Sequence, residues 1–384
     1  MQFEFSTASR IIFGPGMLNS IAALAVELGK KVLIASGCPQ DISDRLVESL
    51  QRHEINYALS KISHEPTVDA ICELVDQAAQ SRPDVIIGIG GGSAIDSAKA
   101  SAVLATNPGE VIDYLEVIGL NKPLLESGIP VIAIPTTSGT GAEVTRNAVI
   151  GEPSQHVKVS LRSHFLLPRI VVIDPELMLS LPPPVTAYTG LDALTQLIEP
   201  FTCNVPNPMT DPLCIEGIKR IGRSLYMAFD DGNDLQARED MALASLFSGL
   251  CLANAKLGAV HGFAGPLGGE INAPHGAICA SLLPYVMSTN LAALNESPTG
   301  HPAIGRYTSI GKLLSGDEAA DALTGIRWVQ DFCQHAKIPG LRSYGFSESM
   351  FAMIIEKAIK SSSMKGNPLI LSPDELRNIL RDAM

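Results

Sequence analysis

The stretch DVIIGIGGGSAIDSAKA, Asp84 to Ala100, decides the fold. It opens with an unbroken apolar run rich in β-branched residues, the pattern of a strand buried on both faces. The run ends in Gly90, Gly91 and Gly92, and helical periodicity follows from Ser93. Three similar apolar runs lie at KKVLIAS (Lys30 to Ser36), IPVIAIP (Ile129 to Pro135) and RIVVID (Arg169 to Asp174). Helical patterns such as ISDRLVESLQRH fall between the runs. Strands alternating with helices predict an α/β domain built on a mostly parallel sheet. The character changes at LSLPPPVTAYTG, where Pro182, Pro183 and Pro184 interrupt the chain. No convincing strand follows, and QAREDMALASLFSGLCLANA and ALTGIRWVQDFCQHAK read as helices. The expected plan is an α/β nucleotide-binding domain over 1–181 and an all-helical domain for metal and substrate over 182–384.

Composition narrows the function classes. The 384 residues are 46% hydrophobic and 18% charged, which excludes a disordered chain. A formal charge of −12 argues against nucleic acid or an anionic membrane surface as partner. The seven cysteines include no CxxC pair, as expected for reduced thiols in a cytoplasmic protein. No apolar run reaches the roughly 18 residues of a transmembrane helix, so no membrane is expected.

Two loops suit a nucleotide. The glycine triplet lets backbone approach a ligand closely, and the helix start beyond it offers free N–H groups and a positive dipole end, which together suit a pyrophosphate. The spacing is not GxGxxG. A second loop, IPTTSGTGAEVT, carries Thr136, Thr137, Ser138, Thr140 and Thr145 just past a strand, where ligands bind in open α/β sheets.

Metal chemistry is suggested further on. In GLDALTQLIEP, Asp192 and Gln196 are four residues apart and share a helix face. His261 and His275 lie in GAVHGFAGPLGGEINAPHGA, among glycines and prolines. A carboxylate, an amide oxygen and two imidazoles form a sensible divalent-metal set, although the spacing matches no local zinc signature. The other six histidines, His53, His64, His156, His164, His301 and His335, read as surface residues.

Taken together, GGGSAIDSAKA, PTTSGTGAEVT, TGLDALTQLIEP and the two histidine segments resemble the iron-containing, or group III, alcohol dehydrogenase family, in order along nearly the whole chain. FGPG near residue 13, VVIDPEL at Val171 and NPL at Asn367 also fit. The resemblance implies the dehydroquinate synthase-like fold and NAD(P)-linked interconversion of a small alcohol with an aldehyde or ketone. It also implies one divalent metal, Fe²⁺ or Zn²⁺, in an interdomain cleft, and a homodimer. Gly91, Gly92 and Ser93 match its pyrophosphate turn, and Asp96 and Lys99 match that motif's polar positions. Thr136, Thr137 and Thr140 match its cofactor loop, and Lys158 matches a cofactor-side lysine. Asp192, His261 and His275 match three of its four metal ligands.

Three positions depart from the pattern. Gln196 stands where the fourth ligand is usually histidine, and an amide oxygen is a weaker donor. Gly265 stands where many members carry a histidine that relays protons, so water, a substrate group or a ribose hydroxyl must serve. Gly37 stands where NAD-preferring members carry aspartate, which removes repulsion against a 2′-phosphate and leaves both NAD(H) and NADP(H) usable. Phe263 is a candidate pocket wall or a core aromatic. The alternatives are a metal-independent reductase of the maleylacetate reductase type, whose usual asparagine at the Asp192 position is absent here, or a nucleotide-binding scaffold without catalysis.

Overall fold

A computed structural model of the chain describes residues 2–155, 157–296 and 300–384; His156 lies outside them. The molecule divides into two compact units. One comprises 6–137 and 141–179; the other comprises 1–5, 138–140 and 180–384.

The first unit is built on a six-stranded, wholly parallel sheet. Its strands are β1 (Arg10–Phe13), β2 (Lys31–Gly37), β3 (Asn56–Lys61), β4 (Val85–Gly90), β5 (Val131–Pro135) and, after a hairpin, β8 (Ile170–Ile173). The spatial order is β1-β8-β5-β4-β2-β3. The hairpin pairs β6 (Asn147–Glu152) with β7 (Val157–Arg162) in antiparallel register. The four apolar runs that read as strands correspond to β2, β4, β5 and β8, while β1, β3 and the hairpin carry no such run. β1 and β3 are edge strands, and β3 alternates exposed and half-buried residues. An edge needs no continuous apolar run, so its signal is weak.

Alternate residues of the strands serve opposite faces. Val32, Ile34, Val85, Ile87 and Ile89 join one core cluster, while Leu33, Ala35 and Ile86 join another with Ala98 and Ala102. That double burial is why the strands read as unbroken apolar runs. Glycine at 88 sets the spacing between β4 and the Gly92–Leu104 helix. A Cβ there would fall 2.8 Å from the Ala98 methyl.

The second unit is helical, and no strand occurs in it among the described residues. Pro183 and Pro184, which read in the sequence only as breakers, form the first turn of the Pro183–Thr202 helix. Their missing N–H groups cost nothing there. This helix is buried on nearly every side, as expected of one enclosed by other helices. The His275–Asn295 helix is long and apolar enough to cross a membrane, contrary to the sequence expectation, but 72% of its apolar window is buried inside the protein. It is a core helix.

A charged network inside the first unit gives a test of this packing. Lys99, 1% exposed, donates to the Ala142 carbonyl at 2.7 Å and to Thr145 Oγ1 at 3.0 Å, and pairs with Asp96 at 3.0 Å. Burial pushes the nearby Glu143 carboxyl up to about 7, even though Lys99 pulls it down. An unfolded glutamate titrates near 4.5, so the folded state holds this proton more tightly. The resulting stability is fully present below 4.5 and is lost as pH rises through 7, about 3 kcal/mol in all. Glu143→Gln behaves as the protonated acid, so its melting temperature relative to the parent should climb between about pH 4.5 and 7 and level off above that. A pH-independent difference would refute the shift.

Candidate functional site

The glycine turn sits where the sheet changes direction. From β2 the chain goes outward to β3 on one side and then to β4, β5 and β8 on the other. The C-terminal ends of β2 and β4 therefore flank the switch point, where open α/β sheets bind ligands. Gly37 and Gly90 are paired there. Gly90 has φ +146°, and a Cβ on it would come within 2.9 Å of Ala94. Gly91 caps the following helix, which begins at Gly92 and Ser93, without any side-chain hydrogen bond. Thr137 flanks Gly91, its methyl 3.5 Å from where a Cβ would lie. Thr136 is buried, and its amide donates to the Gly90 carbonyl at 2.9 Å.

The other expected cofactor residues are placed differently. The Asp96 carboxylate accepts from the Val149 amide at 3.0 Å and pairs with Lys99, so it ties the helix to the hairpin. Lys158, on β7, pairs with Glu65 at 2.5 Å. Thr140 belongs to the helical unit.

In that unit Asp192, His261 and His275 converge, and Cys279 joins them. Asp192 comes from the Pro183–Thr202 helix and His261 from the first turn of the Ala259–Glu270 helix. His275 and Cys279 lie one turn apart at the start of the His275–Asn295 helix. The four donor atoms lie within 4.8 Å of one another. Both imidazole Nε2 atoms are 3.7 Å from Asp192 Oδ1, too far for hydrogen bonds. Asp192 Oδ1 and His261 Nε2 are buried without any hydrogen-bond partner. Buried polar atoms are rarely left so, and a cation between these two would satisfy both. The donor set and the orphaned atoms fit a divalent cation.

The supporting residues are less visible in the sequence. Glu199 Oε2 lies 2.6 Å from His261 Nδ1, and Oε1 accepts from the Val260 amide at 2.7 Å. A carboxylate at Nδ1 fixes the imidazole with its Nε2 toward the cluster, as in metal sites generally. Asp192, Gln196 and Glu199 follow the i, i+4, i+7 spacing of a single helix face, so that spacing is the signal that points to Glu199. Gln196 Nε2 donates to Asp192 Oδ2 at 3.1 Å, and its Oε1 accepts from Ser248 at 3.0 Å. Its amide therefore orients the Asp192 carboxylate and turns its oxygen away. Phe263 is fully buried in the helical core. Gly265 lies one turn from His261, and a Cβ added to it would meet nothing within 4 Å, so the missing histidine leaves open space.

Charge follows from this geometry. Burial opposes ionising Asp192, but the His275 and His261 charges outweigh it and hold its carboxyl below the usual range. Burial likewise opposes the His261 imidazolium, but Glu199 and Asp192 raise it to about 10. Burial and the neighbouring carboxylates push the Cys279 thiol well up. A cation entering the site must displace such protons.

Comparison with known proteins settles the family. Residues 8–175 match the family model of the iron-containing alcohol dehydrogenase, and residues 186–384 match the C-terminal model of the same family. The chain belongs to the iron-containing alcohol dehydrogenases. Alcohol dehydrogenase 4 of Schizosaccharomyces pombe is 34% identical over 379 residues, covering 97% of this dehydrogenase and 87% of the yeast protein. The alcohol dehydrogenase from Oenococcus oeni superposes with a TM-score of 0.90 at 31% identity, covering all of both chains. A sulfoacetaldehyde reductase from Bifidobacterium kashiwanohense, solved with NAD⁺, gives 0.86 at 25% identity over 99% of this chain and 98% of its own. This dehydrogenase is an oxidoreductase of the alcohol and aldehyde type, and the comparisons favour neither the metal-free reductase nor the inert scaffold.

The carboxylate behind His261 can be tested directly. Glu199→Ala should weaken Zn²⁺ binding about 10- to 100-fold, measured by competition with a chromophoric chelator. Unchanged affinity would show that Glu199 does not orient His261 toward a cation.

Proposed function

We propose that this dehydrogenase transfers hydride between NAD(P)(H) and a small alcohol or aldehyde, with Asp192, His261 and His275 holding one divalent metal. The observation that carries this is the convergence of the three side chains with two buried, unpartnered donor atoms. When bound, Fe²⁺ or Zn²⁺ supplies Lewis acidity toward the substrate oxygen. Glu199 keeps His261 oriented, and Gln196 holds Asp192 through its outer oxygen. Gly91, Gly92 and Ser93 receive the pyrophosphate at the helix terminus, with Thr136, Thr137 and Thr140 in the neighbouring loop. We assign Asp96 and Lys158 to the same side of the cofactor, acting through the hairpin they anchor. The nucleotide domain is taken as 1–181 and the metal domain as 182–384. With glycine at 265, water or a ribose hydroxyl moves the substrate's proton. A cytoplasmic homodimer without nucleic-acid or membrane partners completes the proposal. The seven free cysteines support a reducing compartment.

Elemental analysis of protein purified without chelator should find close to one Fe or Zn per chain. Aldehyde reduction with NADH and NADPH should disappear on EDTA treatment and return on adding metal. Little metal together with activity indifferent to EDTA would overturn the assignment.

Cofactor choice turns on Gly37. It ends β2 beside Gly90, and its lack of a side chain puts no carboxylate near a 2′-phosphate. Gly37→Asp should lower kcat/KM for NADPH about 10-fold or more relative to NADH, since an added charge faces the phosphate. A Cβ at this position falls 3.1 Å from Ala94 and 3.3 Å from the Ile62 carbonyl, so thermal melting must accompany the kinetics. An unchanged NADPH/NADH ratio in folded variant would place the 2′-phosphate elsewhere.

A further inference from the structure

We infer that Cys279 is the fourth protein ligand of the metal and that Gln196 is not a ligand. The inference rests on the proposed metal site and concerns which donors complete it. Three of the donors carry over from the family resemblance; the fourth is identified by the geometry alone.

Gln196 is fully engaged elsewhere. Its carbonyl oxygen accepts from Ser248 Oγ, and its amide nitrogen donates to the Asp192 oxygen that faces away from the cluster. Turning the amide over would set two acceptor oxygens against each other at 3.1 Å, so the assignment of nitrogen and oxygen follows from the network. Metal ligation by the amide oxygen would require giving up both bonds inside a buried site. Gln196 is a positioning residue.

Cys279 needs no such rearrangement. It follows His275 by one helical turn on the same face, with Sγ 3.6 Å from His275 Nε2. Its sulfur lies within 4.8 Å of the ligand atoms of Asp192 and His261, both of which are orphaned toward the same space. The separations of 3.6 and 3.7 Å are close to those of donors that share one small cation, since metal bonds of about 2.0–2.3 Å put tetrahedral ligand atoms roughly 3.4–3.6 Å apart.

The donor set therefore becomes one carboxylate oxygen, two imidazole nitrogens and one sulfur. Sulfur favours Zn²⁺ or Co²⁺ over Mg²⁺ and Ca²⁺, and it tilts the choice between iron and zinc toward zinc. Asp192, His261 and His275 alone already make a catalytic type of site with an open position, so Cys279 adds affinity and selectivity to a site that exists without it.

Full-length protein loaded with Co²⁺ gives a readout independent of turnover. Wild type should show a near-ultraviolet thiolate-to-cobalt band. X-ray absorption of the Zn²⁺ form should show one sulfur at about 2.3 Å. Cys279→Ala and Cys279→Ser should lose the band and bind Zn²⁺ about 100-fold more weakly; a supporting residue can cost as much affinity, so the lost band is what marks a ligand. Gln196→Ala should keep the band, and thermal melting of the metal-free variants controls for folding. Bound metal without a sulfur scatterer, or a band that survives in Cys279→Ala, would overturn the inference while leaving the three-ligand site intact. Wild type that binds neither Co²⁺ nor Zn²⁺ would instead overturn the metal reading itself.

Discussion

Asp192 is 1% exposed on a helix enclosed by other helices, and an isolated carboxylate there would cost several kcal/mol to keep ionised. The groups around it answer that cost. Two imidazoles approach one oxygen, and the Gln196 amide donates to the other. Glu199 then adds a second buried carboxylate behind His261, which makes sense only if positive charge collects between them. In the metal-free state protons supply part of that charge; a divalent cation supplies it more completely and satisfies the orphaned atoms at once. Burial of anionic side chains thus requires the site to be cationic at its centre.

The first unit answers the complementary problem with missing side chains. A pyrophosphate carries its own negative charge and needs backbone N–H groups brought close, and a turn made of residues with nothing to interpose suits that need. Glycine at 88 lets the Gly92–Leu104 helix lie directly on β4, and glycine at 90 accepts a positive φ at the strand's end. The two charged side chains of this helix, Asp96 and Lys99, bond to the hairpin and the 142–145 loop and hold the helix in place. Rigidity behind the helix terminus keeps its dipole aimed at the switch point.

Sequence carries the fold further than the site. Strands buried on both faces announce themselves as unbroken apolar runs, whereas β1, β3 and the hairpin do not, because edges and hairpins leave half their residues to solvent. Asp192, His261 and His275 can be singled out because ligand types stand out among glycines and apolar residues. Glu199 lies in the same helix as Asp192, and only the i+7 step between them separates it from an ordinary surface glutamate. Cys279 is harder: a lone cysteine in an apolar helix has the same pattern whether it packs or ligates. The outward turn of the Gln196 oxygen is also hidden, because Ser248 sits on the distant Leu235–Asn254 helix. Hydrogen bonds between remote elements leave no periodicity to read.

Gln196 and the proposed ligand Cys279 can be weighed together by counting charge. Three imidazoles and one carboxylate around a divalent cation leave one net positive charge. Two imidazoles, one carboxylate and one thiolate leave none. With Glu199 counted as well, the first set is neutral and the second carries one net negative charge, so the thiolate-bearing centre holds a cation more tightly but is not easier to bury. It also withdraws electrons less strongly from a bound oxygen. Gly265, with open space where a histidine could stand, leaves that neighbourhood without a further proton-carrying side chain. Under the proposed ligation, Gln196 in place of an imidazole and Cys279 as a thiolate act in one direction: they lower the positive charge near the reacting oxygen, while Gln196 preserves the orientation of the Asp192 carboxylate.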